Sequence, residues 1–203
     1  LLKSLYELDE QSLFYDQLDD LISKNEVNSI IGSLCSRSEI KYGINRTNPF
    51  CNDPLKYVSQ IDLTEQCDFN NIFVKTARNI LNNDIVSSKS QELLTNGYQT
   101  SGNLLLLKVD FMEEIKRILD LEIEKYQLYF KDSAEDFIKH WPKEYSLHGW
   151  LISMKSGGEL RPHMHEEGWI SGSVYINVPS KSKIDSGNLV VCIDDEEYTT
   201  RAN

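Results

Sequence analysis

The sequence predicts an α+β protein, with helices over its first two thirds and strands over its last third. From residue 1 to about residue 145, apolar residues recur at the three- and four-residue spacing typical of amphipathic helices. From residue 146 onward, short alternating runs are separated by glycine-rich breaks, which indicates antiparallel strands. The 203 residues are 40% hydrophobic, enough for one sizeable core or for a core with a small helical annex.

The segment 1–40 carries three apolar stripes at helical spacing, which predict short helices. It contains no complete repeat period, so it is either the end of a helical-repeat array or a plain helical cap. We therefore divide the chain into a helical segment at 1–40 and a second domain at 41–203. Within that domain, 41–145 is the helical portion and 146–203 is the strand-rich portion.

The helical portion of the second domain is expected to contain two long helices. Asp62 and Glu65 resemble a capping box, which predicts a helix from there to about residue 83. A polar, glycine-bounded stretch at 97–103 predicts a loop that leads into a buried apolar segment. A second apolar stripe predicts a long helix over 111–130.

The last third is expected to form four short strands joined by turns. Lys155–Gly158 predicts a tight turn after the first strand, and 179–187 predicts a loop before the fourth. The alternation of apolar and polar residues places the four strands at 147–154, 160–165, 170–178 and 188–193.

Charge and cysteine spacing exclude several classes of protein. A formal net charge of −11 argues against a nucleic-acid partner or an anionic membrane surface, because both attract excess Lys and Arg. No apolar run approaches the length of a membrane span. The four cysteines form no C-x-x-C pair and are widely spaced, which favours reduced thiols in a cytoplasmic protein.

His163 and His165 are the candidate metal ligands. Two of the four histidines stand at i and i+2, and on an extended strand such side chains point to the same face. Two neighbouring imidazoles can chelate one metal ion, although a surface strand end that happens to carry two histidines would give the same pattern. We expect His148 to be a structural histidine and His140 to lie on the surface at a helix end.

Two motifs carry a resemblance to a known family. The first motif is Gly97-Tyr98-Gln99-Thr100-Ser101-Gly102-Asn103-Leu104. The second is Gly158-x-Leu160-x-Pro162-His163-x-His165-Glu166-x-Gly168-Trp169-x-Ser171-Gly172-x-x-Tyr175-x-x-x-Pro179. With these motifs the sequence resembles the iron(II)/2-oxoglutarate-dependent oxygenases that often follow tetratricopeptide repeats in bacterial proteins, and the likeness covers roughly residues 45 to 195.

The resemblance implies helices packed on a double-stranded β-helix, also called a jelly roll, and implies Fe(II) and 2-oxoglutarate as cofactor and co-substrate. His163 matches the family's first metal ligand, and His165 occupies a position usually held by Asp or Glu. Either three histidines bind the metal, or Glu166 or Glu167 supplies a carboxylate. Strand alternation favours His165, because Glu166 should point to the opposite face.

The resemblance also implies residues that this sequence does not contain. The family's distal histidine and the basic residue that binds 2-oxoglutarate correspond to positions beyond residue 203. We therefore expect a fragment that holds only the first part of the jelly roll. Trp169, Ser171 and Tyr175 either line the pocket or fill the barrel core. A protein or peptide substrate is consistent with upstream repeats.

Two other functions stay open at this point. One is a non-catalytic jelly-roll binding module attached to helical repeats. The other is a cupin-like metal enzyme that uses histidines only and no 2-oxoglutarate. A distal histidine followed by a basic residue would favour the oxygenase, a distal histidine alone would favour the cupin-like enzyme, and the absence of both would favour the binding module.

Overall fold

A computed structural model describes residues 1–83, 85–180, 184 and 186–193. These residues form an α+β fold of six α-helices and one antiparallel sheet of three strands. The α-helices are α1 (Leu2–Glu7), α2 (Gln11–Ser23), α3 (Ser29–Tyr42), α4 (Thr76–Asn82), α5 (Met112–Tyr129) and α6 (Asp136–Lys139). The strands are β1 (Ser88–Lys89), β2 (Leu94–Thr100) and β3 (Ile152–Leu160).

The first three helices pack on each other around their own core, which confirms the prediction of short helices in this segment. Phe14 and Leu18 of α2 are fully buried there. The Asn28 side chain accepts a hydrogen bond from the backbone of Ile31 at 2.9 Å and so begins α3. Gly43, in the left-handed conformation at φ 70°, ends it.

The helix predicted to run from residue 62 to residue 83 begins later than expected. A separate 3-10 turn (Leu63–Glu65) is followed by a π-helix (Asn70–Lys75) that continues directly into α4. Two aspartates cap the two starts: Asp62 accepts from the backbone of Thr64 at 2.8 Å, and Asp68 accepts from that of Asn71 at 3.2 Å. Each cap satisfies a backbone N–H of its own, so the turn and the helix remain separate.

The long helix predicted near 111–130 is confirmed as α5. Its apolar face, which includes Ile115 and Ile118, packs into the central core of the molecule. The same core receives Phe73 and Ile80 from the π-helix and α4, and Leu104 from a 3-10 turn. A third and smaller core, around Cys51, Phe137 and Ile138, lies beside it.

The stretch predicted to be a loop at 97–103 begins as strand instead. β2 runs through Thr100 and pairs antiparallel with β1 on one side and β3 on the other. Its polar residues gave no strand pattern in the sequence, because most of its side chains are exposed and alternation needs one buried face. Backbone pairing with β3, more than 50 residues away, determines the strand.

The tight turn predicted at Lys155–Gly158 is wrong, because β3 continues through it. Thr95 pairs with Glu159 and Gly97 pairs with Met154, so those four residues of β3 lie opposite a single residue of β2. They form an irregular β-bulge. Gly157 adopts φ +73°, a conformation that favours glycine, and a Cβ on Gly158 would lie 2.9 Å from the Lys155 carbonyl oxygen. Glycine at both positions therefore lets the backbone adopt the bulge.

The sheet ends before the histidine pair. The Arg161 backbone N–H donates to the Leu93 carbonyl oxygen at 2.9 Å, and Pro162 then has no N–H to continue the ladder. The strand predicted at 160–165 therefore stops at Leu160. The structure has no strand at 170–178 or at 188–193, and it contains no jelly roll within the residues it describes.

None of the described helices combines the length and the apolar character needed to cross a bilayer.

Candidate metal centre

The two histidines lie in a loop of residues 161–171, called here the histidine loop, that follows β3. The structure brings their imidazoles together: the ring centroids are 5.0 Å apart, and the two Nε2 atoms are 3.1 Å apart. The two side chains at i and i+2 thus face each other although no strand is present there. Both residues are exposed, so the pair is accessible from solvent.

The other nitrogen of each ring has its own hydrogen-bond partner. Nδ1 of His163 is 2.9 Å from the carbonyl oxygen of Arg161, and Nδ1 of His165 is 3.0 Å from the hydroxyl oxygen of Ser171. A carbonyl oxygen can only accept, so Nδ1 of His163 carries the proton and its Nε2 keeps a lone pair. This is the arrangement by which proteins orient histidine ligands.

The same donor and acceptor rule assigns the proton in the hydrogen bond between the two Nε2 atoms. Because Nε2 of His163 accepts, Nε2 of His165 must donate to it, and Nδ1 of His165 then accepts from Ser171. If His165 instead carries its one proton on Nδ1 and donates it to the Ser171 hydroxyl, both Nε2 lone pairs are free for one ion. The Ser171 hydroxyl can donate or accept, so it suits both tautomers.

The separation of the two Nε2 atoms suits a metal ion whose neighbouring ligands lie at about a right angle. With metal–nitrogen bonds of about 2.1 Å, Nε2 atoms 3.1 Å apart subtend about 95° at the ion. Neighbouring ligands of an octahedral ion lie near 90°, as they do in the facial triad of non-haem iron enzymes. In the part of the chain that the structure describes, no group of three His, Cys, Asp or Glu side chains could hold a metal.

The surroundings of His165 favour its neutral form. Partial burial lowers the pKa of the His165 imidazole, and the nearby His163 lowers it further. The ring of Trp150 contributes to that environment, with its centroid 5.0 Å from that of His165 and the two planes at 75°. A neutral imidazole is the form that binds metal ions.

The ends of the histidine loop are anchored to other parts of the fold. At its start, the Arg161 guanidinium donates to the backbone carbonyl of Glu92 at 3.3 Å. Near its end, the Trp169 indole N–H donates to the carbonyl oxygen of Phe137 at 3.0 Å, and the ring lies edge-on to Phe50 at 5.0 Å. A turn between these anchors is closed by the Gly168 N–H, which donates to the His165 carbonyl at 2.9 Å.

Glu166, one of the two carboxylates considered as a ligand, has other partners. Its side chain forms an ion pair with Lys3 of α1, and its backbone carbonyl accepts from the Ser29 hydroxyl of α3 at 3.1 Å. These contacts hold Glu166 against the N-terminal helices. Its carboxylate is thus engaged in an ion pair.

The three candidate pocket residues take different positions. Ser171 contacts His165 directly. Trp169 packs into the third core beside Phe50. Tyr175 keeps half of its surface in solvent and, within the described chain, makes no hydrogen bond or ring contact with the histidine pair.

The remaining histidines lie outside the pair. His140 ends α6, and its Nδ1 is 3.1 Å from the Asp136 carbonyl oxygen. His148 is exposed and lies edge-on to Trp150 at 6.0 Å. The sequence did not predict that Trp150 and Lys3 are neighbours of the site. For Trp150, the available signal was its i, i+2 spacing from His148.

Comparison with known families bears on this region. Residues 148–201 match the family described as "Putative 2OG-Fe(II) oxygenase". The match covers about a quarter of the chain, includes both histidines of the pair and supports the family that the motifs resemble. No curated protein and no solved structure matches the chain significantly.

Proposed function

We propose that this chain carries part of a non-haem iron(II)/2-oxoglutarate-dependent oxygenase of the hydroxylase type, with His163 and His165 as iron ligands. The observation that carries the proposal is the 3.1 Å separation of the two Nε2 atoms, combined with a hydrogen-bond partner at each Nδ1. The family match over 148–201 supports the same chemistry. The jelly roll, and a third ligand outside the described residues, belong to this proposal.

The residues around the pair would prepare it for an ion. The Arg161 carbonyl and the Ser171 hydroxyl fix the ring orientations, and Trp150 keeps water from one side of His165. The exposed side of the pair leaves space for a small co-substrate. When bound, iron(II) and 2-oxoglutarate would supply the oxidising chemistry that hydroxylates a C–H bond.

The partners follow from charge and accessibility. We propose 2-oxoglutarate as the small-molecule co-substrate and a protein or peptide as the substrate, because the pair lies open on the surface. The net charge of −11 supports neither a nucleic-acid nor a membrane partner. The link to upstream tetratricopeptide repeats and the cytoplasmic location remain predictions from sequence.

The first test is an anaerobic Fe(II) titration of the full-length protein, with and without 2-oxoglutarate. We expect His163→Ala to weaken iron binding by at least about 100-fold, because a direct ligand contributes more than the outer partners, whose loss costs about 10- to 100-fold. The matched control is His140→Ala, which removes an exposed histidine at the end of α6 and should leave iron affinity within about twofold.

The same titration separates the competing functions. Tighter iron binding in the presence of 2-oxoglutarate, together with iron-dependent succinate release once oxygen is admitted, supports the oxygenase. Succinate release that does not depend on iron, or iron binding that His163→Ala leaves unchanged, contradicts it. A chain that binds no iron at all would instead be the non-catalytic binding module.

One observation favours a second candidate, the cupin-like all-histidine enzyme. His165 stands where the family usually has a carboxylate, and Glu166 is paired with Lys3. Histidine-only metal sites need no 2-oxoglutarate. Iron binding that depends on His163 and His165 but is unaffected by 2-oxoglutarate would identify this enzyme class.

A further inference from the structure

We propose that Trp150 is a positioning residue for the metal site, and that Thr100 and Asn103 act through it. This inference rests on the proposed function and deepens it. It assigns a role to the motif 97–104, which contains no metal ligand. The proposed role is to hold the short segment 147–151 so that the Trp150 indole lies against the His165 imidazole.

The segment 147–151 precedes β3 and is fixed on both sides of Trp150. The Asn103 amide bonds it twice: its Nδ2 donates to the Leu147 carbonyl at 2.8 Å, and its Oδ1 accepts from the Gly149 N–H at 3.0 Å. The Leu104 N–H donates to the Gly149 carbonyl at 2.8 Å. The backbone immediately before Trp150 therefore has little freedom to move.

Thr100 fixes the backbone immediately after Trp150. Its N–H donates to the Leu151 carbonyl at 3.0 Å, and its hydroxyl accepts from the Leu151 N–H at 3.0 Å. Thr100 is only 3% exposed, so water cannot replace these bonds. Together, Asn103 and Thr100 bond both neighbours of Trp150 and leave its side chain as the part that reaches the histidine loop.

The contact itself restricts the ligand ring. The Trp150 and His165 rings meet edge to face, with centroids 5.0 Å apart and planes at 75°. The other directions around His165 are taken by His163 at Nε2 and by Ser171 at Nδ1. Trp150 thus supplies an aromatic contact that restrains the imidazole from swinging out of line with its neighbour.

The experiment uses Co(II) as a spectroscopic probe that binds nitrogen ligands somewhat more tightly than Fe(II) does. We expect Trp150→Leu to weaken Co(II) binding by about 10-fold, as the loss of other ligand-orienting partners does, and to change the visible Co(II) absorption. Trp150→Phe keeps an aromatic ring and should recover most of the affinity. Trp141→Leu, which removes a half-buried tryptophan that packs on Tyr126, is the matched control and should leave affinity and spectrum unchanged.

A double-mutant comparison tests whether the motif acts through Trp150. Asn103→Ala and Thr100→Val should each weaken Co(II) binding in the wild-type chain. In the Trp150→Leu background they should cause no further loss. Thr100→Val preserves side-chain shape, so it gives the answer even if Asn103→Ala fails to fold. Additive losses would overturn the proposed route.

A measurement without metal keeps this inference separate from the proposed function. In the metal-free chain, the Trp150 ring current should shift the ring-proton NMR signals of His165, which can be assigned with His165→Ala. Trp150→Leu should abolish that shift, and Trp141→Leu should not. An unchanged His165 signal, or full Co(II) affinity in Trp150→Leu, overturns the positioning role. Failure of the wild-type chain to bind Co(II), with the His165 shift still dependent on Trp150, contradicts the proposed function alone.

Discussion

Asn48 and Phe50, which lie close in the sequence, show how single side chains support the histidine loop. The buried Asn48 amide donates to the Gly32 carbonyl of α3 at 2.8 Å and accepts from the backbone of Phe50 at 2.9 Å. Phe50 in turn packs on Trp169, the anchor at the end of the loop. Cys51 follows and is buried in the same small core.

The Cys51 thiol gives the fold a pH dependence at alkaline pH. Burial, with the nearby Glu135 carboxylate adding to it, raises the pKa of Cys51 from 9.0 to about 11. The unfolded chain therefore loses this proton first, and the free energy of unfolding falls as the pH rises from about 9 to about 11. We expect the contribution of Cys51 to fall by on the order of 1 to 2 kcal/mol across that window.

Urea unfolding at several pH values measures this contribution as the difference between wild type and Cys51→Ala. The difference should be largest below pH 9 and should shrink toward pH 11. Cys192→Ala, at an exposed position, removes a thiol without disturbing the core and serves as the control. A wild-type-minus-Cys51→Ala difference that stays constant with pH would show that this thiol does not titrate differently on folding.

At the scale of elements, the β-bulge of β3 determines where the histidine loop begins. Four residues opposite one on β2 bend the strand and increase its twist. The Asn96 side chain closes the bulge by donating from Nδ2 to the Gly157 carbonyl oxygen at 3.3 Å. The direction in which β3 runs toward Arg161 therefore depends on Gly157 and Gly158, which have no side chain to obstruct the bulge.

Adding a side chain in the bulge should destabilise the sheet. A Cβ on Gly158 would lie 2.9 Å from both the Lys155 carbonyl oxygen and the Met154 Cβ, closer than real contacts allow. We expect Gly158→Ala to lower the free energy of unfolding by about 1 to 3 kcal/mol, the range typical of overpacking. Thermal or urea unfolding measures it.

Gly172→Ala is the matched control for this prediction. No atom lies within 4 Å of a Cβ at that position, and the change should be within about 0.5 kcal/mol of wild type. Equal stability of the two alanine variants would mean that the bulge tolerates a side chain and does not constrain β3.

At the scale of the whole molecule, the N-terminal helices and the histidine loop form one contact region. Lys3 of α1 and Ser29 at the start of α3 both bind Glu166, the residue next to His165. Hydrogen bonding to Glu166, and then its charge, raise the pKa of the Lys3 ammonium. The two segments divided at residue 40 in the sequence are therefore joined at the candidate site.

Reversing one charge of this pair should loosen the loop locally. We expect Lys3→Glu to increase amide hydrogen exchange in the histidine loop by about twofold to fivefold, a small factor because exposed ion pairs contribute little. The increase should diminish at high salt, which screens the repulsion between the two carboxylates. Exchange followed by mass spectrometry measures it.

The double variant Lys3→Glu with Glu166→Lys restores opposite charges and should return exchange toward wild type. Lys24→Glu, which breaks the exposed pair with Asp20 on α2, is the control and should not affect the loop. Increased exchange in the double variant, equal to that in Lys3→Glu, would show that the ion pair does not hold the loop.

Elements that depend on residues close in the sequence were predictable, and those that depend on distant residues were not. The short N-terminal helices and α5 were predicted because their apolar faces repeat within a single element. The strand β2 and the bulge in β3 were not, because each is fixed by pairing between segments more than 50 residues apart. The strands predicted after residue 165 required partners that the described residues do not provide.

The sequence by itself determined the α+β class and the pair of histidines at i, i+2, because helical periodicity and side-chain direction act over a few residues. Only the tertiary structure decided that the pair lies in a loop after β3. It also decided that Ser171 and the Arg161 carbonyl orient the two rings, and that Trp150 and the N-terminal helices reach them. These relations join residues separated by up to 163 positions, and only folding brings such residues together, at an entropic cost that the packed cores offset.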